Sequence, residues 1–210
     1  MKTALPMRRE KHKTVLQRHG GSGPHSVMMR RTIAAIVWLL FAASNSLGQQ
    51  RHSEYQVEAA YLYNFGRFVE WPAKITSVKT GPFTICVLGQ DPFGSLLDKT
   101  LAGEMIGNQS VAAKRISSPQ ESTDCQILFI SSSEANRVNK IIESLDKSSV
   151  LTVSDIPQFS RHRGMIEFVS EDNHIRFEIN LAETQRAGLN LSSDLLKVAA
   201  AVRGNPQAGD

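Results

Sequence analysis

The chain has 210 residues, of which 41% are hydrophobic, 7% aromatic and 21% charged, with a formal net charge of +4. That composition excludes a wholly disordered chain, a collagen-like repeat and a multispan membrane protein. The basic excess is local: residues 1–48 hold eight Lys/Arg and one acid, Glu10, so the remaining 162 residues carry 16 basic and 19 acidic groups, a net charge of −3. A mildly acidic body has no electrostatic footprint for DNA or RNA, so nucleic acid is not an expected partner.

Residues 1–48 read as an export signal. Arg30 and Arg31 precede an uncharged apolar run of twelve, residues 32–43, and Ser46 and Gly48 supply small residues at the −3 and −1 positions for cleavage before Gln49. A charged start, a short apolar run and a small-residue exit describe a secretory signal peptide. Twelve helical residues span only about 18 Å, short of the roughly 30 Å hydrocarbon core, which argues against the alternative of a stable anchor. The segment before Met28 is polar and long for a signal, so Met28 is a candidate translation start. The expectation is a periplasmic, exported protein whose two cysteines, Cys86 and Cys125, meet an oxidising compartment.

The exported body reads as one domain, residues 55–203, followed by a disordered polar tail, residues 204–210. From Glu54 to Trp71 the apolar positions Val57, Ala60, Tyr61, Tyr63, Phe65, Phe68 and Val69 recur at helical spacing, and Pro72 ends the helix. Phe83–Leu88 is a short apolar, β-branched run between Gly-Pro and Gly, hence a first buried strand. Asp91-Pro92 reads as an N-cap with Pro at the first helical position, opening a helix to Leu101. Ser110–Ile116, Cys125–Ile130 and Val150–Val153 give strands two to four, with a helix from Ser133 to Leu145 between the last two. Met165–Val169 and Ile175–Ile179 flank a five-residue turn and form an antiparallel hairpin. Helices Leu181–Ala187 and Ser193–Arg203 close the chain. The alternation predicts a single three-layer α/β domain: a mostly parallel sheet of about four strands in order 2-1-3-4, an antiparallel hairpin, and helices on both faces.

Motifs with chemistry are near-misses. Gly89-Gln-Asp-Pro-Phe-Gly94 has the Gly-x₄-Gly of a phosphate loop, but Ser95-Leu96 stands where Lys-Ser/Thr is needed. His52, His162 and His174 are far apart and lack zinc-site spacing. Glu167 and Glu178 face opposite ways along the hairpin or pair with Arg176, as solvated charges. No nucleophile–base–orienter set assembles from neighbouring residues, so catalytic residues, metal ligands and cofactors are all expected to be none.

Glu58-Ala-Ala-Tyr-Leu-Tyr-Asn-Phe-Gly-Arg-Phe-Val-Glu-Trp-Pro72 resembles the opening helix of the YfiR family of exported bacterial proteins. Residues 85–94, 125–131, 150–155, 164–166, 175–180 and 187–196 resemble further family blocks, in family order, from about residue 55 to residue 200. The resemblance implies a non-enzymatic periplasmic repressor. Such a repressor binds the periplasmic part of an inner-membrane diguanylate cyclase, or another sensor protein, and restrains cyclic-di-GMP synthesis and biofilm formation. An outer-membrane-associated antagonist releases it.

Two further readings concern sites. Open α/β sheets bind ligands at the C-terminal ends of their strands, where Gln90, Asp91, Ser131, Ser132, Ser133, Ser154 and Asp155 are expected. These residues line a ligand crevice in a small-molecule sensor or hydrolase, or they serve as helix caps and turn hydroxyls. The first helix carries more aromatics than one buried stripe holds. Tyr63 and Trp71 are therefore candidate contacts to a second copy in a homodimer or to the partner, unless the C-terminal helices cover them.

Cys86 and Cys125 fall on strands that the proposed order makes neighbours, about 4.8 Å apart, within disulfide range. Their pairing is expected; two reduced, buried thiols are the alternative. The resemblance points the same way, since a matching pair forms a disulfide tied to repressor activity in the characterised family member.

Overall fold

The computed structural model describes residues 54–72, 81–146 and 148–204, all within the compact unit Gly48–Asp210. The export signal read at residues 1–48 and the tail beyond Gly204 lie outside the described residues. Among the described residues no helix is long and apolar enough to cross a membrane.

Residues 54–68 are helical (α1). Ala59, Leu62 and Phe65 follow one another at helical spacing and are fully buried, which fixes the face that meets the sheet. The helix stops at Phe68, three residues before the expected Trp71. Val69–Glu70 (β1) instead pairs antiparallel with Asn190–Leu191 (β9), and the Phe68 carbonyl accepts the Ser192 N–H at 2.9 Å. Backbone pairing has replaced the last helical turn.

Phe83–Leu88 (β2) is buried along its whole length, as a central parallel strand must be. Gln109–Ile116 (β4) lies on one side of it and Ile127–Ile130 (β5) on the other, both parallel, and Leu151–Ser154 (β6) follows β5. The order β4-β2-β5-β6 is the expected 2-1-3-4. The sheet is nonetheless larger than about four strands plus a hairpin, with eight strands in one array. Met105–Ile106 (β3) extends one edge by pairing antiparallel with β4. Ile166–Glu171 (β7) joins the other side parallel to β6, and His174–Asn180 (β8) pairs antiparallel with β7. Ala201–Arg203 (β10) completes that edge parallel to β8.

Local chemistry explains the departures. The hairpin turn is two residues rather than five, because Asp172 (φ 49°) and Asn173 (φ 64°) both accept the left-handed backbone of a type I′ turn. Asp91 does not cap a helix. Its Oδ1 accepts the Phe93 N–H at 2.8 Å in an Asx turn, and helix α2 starts after Gly94, at Ser95–Leu101. Ser132–Arg137 is a 3₁₀ segment that leads into helix α3, Val138–Ser144. Leu181–Arg186 (α4) ends before Gly188 as expected. Ser193–Val198 (α5), capped by Ser192 Oγ, is shorter than the expected Ser193–Arg203 helix. The free edge of β8 captures the segment: Ala200 N–H donates to Phe177 O at 2.8 Å, and β10 follows. Pairing an open sheet edge outweighs the helix preference of this Ala-rich segment.

Side chains alternate between two cores. Ile85, Val87, Ile127, Phe129, Leu151 and Val153 face α1, α2 and α5 in one cluster. Cys86, Leu88, Leu128 and Ile130 face α3 in the other, with Phe159 and Ile156. The period of two along each strand divides them, and each fully buried Leu, Ile or Phe contributes about 1.5–3 kcal/mol.

Candidate functional site

Five of the seven crevice candidates are engaged inside the fold, three of them with one another. Ser131 caps the 3₁₀ segment, with its Oγ 3.3 Å from the Ser133 N–H and 3.2 Å from Ser133 Oγ. The Gln90 N–H donates to Ser133 Oγ at 2.9 Å. Gly89 (φ 92°) allows this close approach, since a Cβ there would lie 2.6 Å from Ser133 Oγ. Ser154 Oγ donates to Ile130 O at 2.6 Å and accepts the Ile156 N–H at 3.0 Å. Asp91 receives Arg115 Nε at 2.9 Å, and the same guanidinium reaches Asp98 Oδ1 and Gly94 O, each at 2.7 Å. That arrangement holds Asp98 below the usual carboxylate range.

The other two, Ser132 and Asp155, line a pocket of about 300 Å³ beside the first turn of α1. α1 contributes Glu54, Tyr55 and Glu58, while β7 and β8 contribute Phe168, Val169, Ser170 and Ile175. Tyr55 Oη donates to Asp155 Oδ2 at 3.2 Å, and its ring stands edge-on to Phe93, with 5.6 Å between centroids. Glu58 is only 4% exposed. Burial first, then the nearby charges of Asp155 and Glu54, push its carboxyl up to about 9. Burial also raises Asp155, against the opposing hydrogen bonds from Tyr55 and from the Ser132 backbone and hydroxyl. Glu58 Oε2 and Asp155 Oδ1 are buried and meet no hydrogen-bond partner. Sequence reasoning named Asp155 but missed Glu58. The available signal was its position, four residues before Leu62 and seven before Phe65, which puts an acid on the buried stripe.

A second concavity, apolar and also about 300 Å³, lies between α1 and α5, lined by Tyr61, Asn64, Phe65, Phe68, Leu195 and Val198 among others. Phe68 is 38% exposed and Val198 60% exposed at its rim. Tyr63 is half-buried, its hydroxyl donating to Met105 O at 3.3 Å and its ring 5.9 Å from the Arg67 guanidinium carbon. Trp71 is half-buried edge-on against Phe83, 5.2 Å between centroids, with Nε1 buried and without a partner. Both rings therefore divide between the chain's own body and solvent.

Cys86 and Cys125 form a disulfide, Cα to Cα 5.8 Å, and both are buried. Cys125 precedes β5 rather than opening it, and the adjacent Gln126 N–H and Oε1 clasp Thr84 O and Thr84 N–H on β2. Glu167 and Glu178 correct the sequence reading. They are register partners on β7 and β8, share one face, and converge on Ser160, while Arg176 pairs with Glu171. Among the described residues no group of three or more His, Cys, Asp or Glu is placed to hold a metal ion.

A profile of the YfiR/HmsC-like family matches residues 55–200, from the pocket helix through β9 and α5. The chain belongs to the YfiR/HmsC-like family. No curated protein matches its sequence. Among solved structures, one similar chain is the ABC domain in complex with L-Trp from Streptococcus pneumonia, with 13% identity and a TM-score of 0.45. Another is a conserved domain protein from Vibrio cholerae O1 biovar El Tor, with 7% identity and a TM-score of 0.46. The first likeness covers 57% of this chain and 55% of that one, the second 57% and 54%. The family member thus spans about half the length of each.

Proposed function

We propose that this chain is an exported, non-enzymatic regulator that works in the periplasm. It binds the periplasmic part of an inner-membrane signalling protein, a diguanylate cyclase in the first instance, and represses it, lowering cyclic-di-GMP and biofilm formation. An outer-membrane-associated antagonist relieves the repression. The observation that carries this reading is the family match over residues 55–200, nearly the whole body of the chain.

The apolar groove between α1 and α5 suits the role physically. Phe68 and Val198 present apolar surface around a concavity floored by Phe65 and Phe177, with Asn64 and Asp194 as polar neighbours. Buried anchors inside a polar rim are what a protein interface uses. Tyr63, beside the exposed Met105, and Trp71 are additional contacts for the partner or for a second copy of the chain.

Affinity capture from detergent-solubilised membranes, with the purified chain as bait, tests the reading. It predicts recovery of a membrane protein carrying a diguanylate cyclase or other signalling domain. Recovery should fail with a folded Phe68→Asp/Val198→Asp variant. Recovery of no membrane signalling protein, or recovery indifferent to the groove, contradicts it.

A further inference from the structure

We propose that the pocket beside the first turn of α1 binds a small organic cation, an ammonium- or guanidinium-bearing molecule, with Glu58 and Asp155 as its counter-charges. The first argument is the unfilled bonding. Buried polar atoms in folded proteins almost always have a partner, yet Glu58 Oε2 and Asp155 Oδ1 have none and line the same space. Asp155 Oδ1 is an acceptor when ionised, and Glu58 becomes one on losing its proton, so a donor-bearing ligand suits both once Glu58 ionises. Removing a buried acceptor's partner costs more than the bond itself contributes, which makes a donor-rich ligand the economical occupant.

The charge of the lining gives the class. Two carboxyl groups with a bare oxygen, Glu58 and Asp155, face the pocket, and among the described residues its lining has no Lys, Arg or His. An anion would be repelled, and a neutral polar molecule would leave the carboxyls uncompensated. A bare divalent cation fits poorly, because no group of three or more metal-ligating side chains is assembled among the described residues. The Tyr55 ring, Phe168, Val169 and Ile175 add an apolar wall for the carbon skeleton of an amine. The volume, about 300 Å³, is that of a small metabolite site.

The pocket also sets a proton linkage. Glu58, pushed up to about 9, holds a proton at neutral pH. Among the described residues, the ionisable groups facing it are Glu54 and Tyr55 on its own helix and Asp155 after β6; β7 and β8 add Phe168, Val169, Ser170 and Ile175, which carry no ionisable side chain. An entering cation favours the ionised carboxylate, so binding releases the Glu58 proton. Affinity rises with pH, approaching tenfold per unit below the Glu58 pKa.

This inference is independent of the partner reading; either can fail without the other. Titration calorimetry of the purified protein with putrescine, agmatine and phenethylamine tests it, with 1,4-butanediol and glutarate as neutral and anionic controls. At least one amine is expected to bind, more tightly at pH 8 than at pH 6, with proton release shown by buffers of different ionisation enthalpy. Neither control should bind. Glu58→Gln and Asp155→Asn should each weaken amine binding at least tenfold while circular dichroism shows an intact fold. Absence of binding by all three amines, equal binding of glutarate, or undiminished binding by both variants would overturn the proposal.

Discussion

Glu167 and Glu178 sit directly opposite each other on β7 and β8, and both carboxylates converge on Ser160 Oγ, at 2.7 and 3.2 Å. Like charges facing across a sheet are destabilising, so the arrangement persists only because each is compensated. Glu167 accepts the backbone N–H groups of Gln158 (2.6 Å) and Ser160 (2.9 Å), capping the 3₁₀ turn Phe159–Arg161. Glu178 receives Arg203 through Nε and Nη2, at 2.9 and 2.7 Å, which fastens β10 to the sheet.

Removing either compensation should therefore be costly. Glu167→Ala orphans the buried Ser160 N–H and uncaps the 3₁₀ turn, and is expected to lower stability by about 1–3 kcal/mol. Arg203→Ala, at a half-buried site, is expected to lower it by about 1–3 kcal/mol and to release β10. Urea unfolding measures both, and hydrogen exchange at residues 201–203 reports the edge strand.

The Cys86–Cys125 bond closes a loop with a sequence separation of 39 and lies wholly inside the core that faces α3. A Cys86→Ser/Cys125→Ser variant is expected to lose on the order of 4 kcal/mol by the chain-entropy argument. Buried sulfurs should also resist dithiothreitol until the protein is partly unfolded. Equal unfolding midpoints for the oxidised protein and the double variant would refute the staple.

Glu58 gives the protein a pH dependence of definite sign. Its folded pKa, about 9, lies above the ordinary 4.5, so the folded state holds a proton that the unfolded state has lost between those values. Stability is therefore fullest below pH 4.5 as far as this group is concerned, and falls as pH rises toward 9, by about 1.4 kcal/mol per unit at most. Asp155, raised in the same direction, adds to the trend. Unfolding midpoints measured from pH 5 to pH 8 should fall, and Glu58→Gln should flatten the slope.

Gly164 is closed by a ring. A Cβ there would fall on the Phe159 side chain, which is fully buried and has nowhere to move. Gly164→Ala is expected to cost about 1–3 kcal/mol as an overpacking change, readable as a lowered thermal midpoint. Gly81→Ala, with open space around its Cβ position, is the matched control.

The parallel core was legible because its strands are short apolar runs bounded by Gly and Pro, and their alternation with helices leaves few topologies. The edges were not. β10 forms from a segment whose local preference is helical, and only the unpaired edge of β8 decides it. The phase of α1 was misread as well: Val57 and Ala60, counted on the apolar stripe, are exposed, while Ala59 and Leu62 are buried. With that phase wrong, Glu58 could not be recognised as an inward carboxyl. Its meeting with Asp155 joins residues 97 positions apart, which no local spacing encodes.

The regulatory claim is tested most directly by cellular cyclic-di-GMP in a strain lacking this chain. The level should rise on deletion and return when the wild-type chain is restored. A folded, exported Phe68→Asp/Val198→Asp chain should leave it high. A level unchanged by deletion, or restored fully by the groove variant, would contradict repression through the α1–α5 surface.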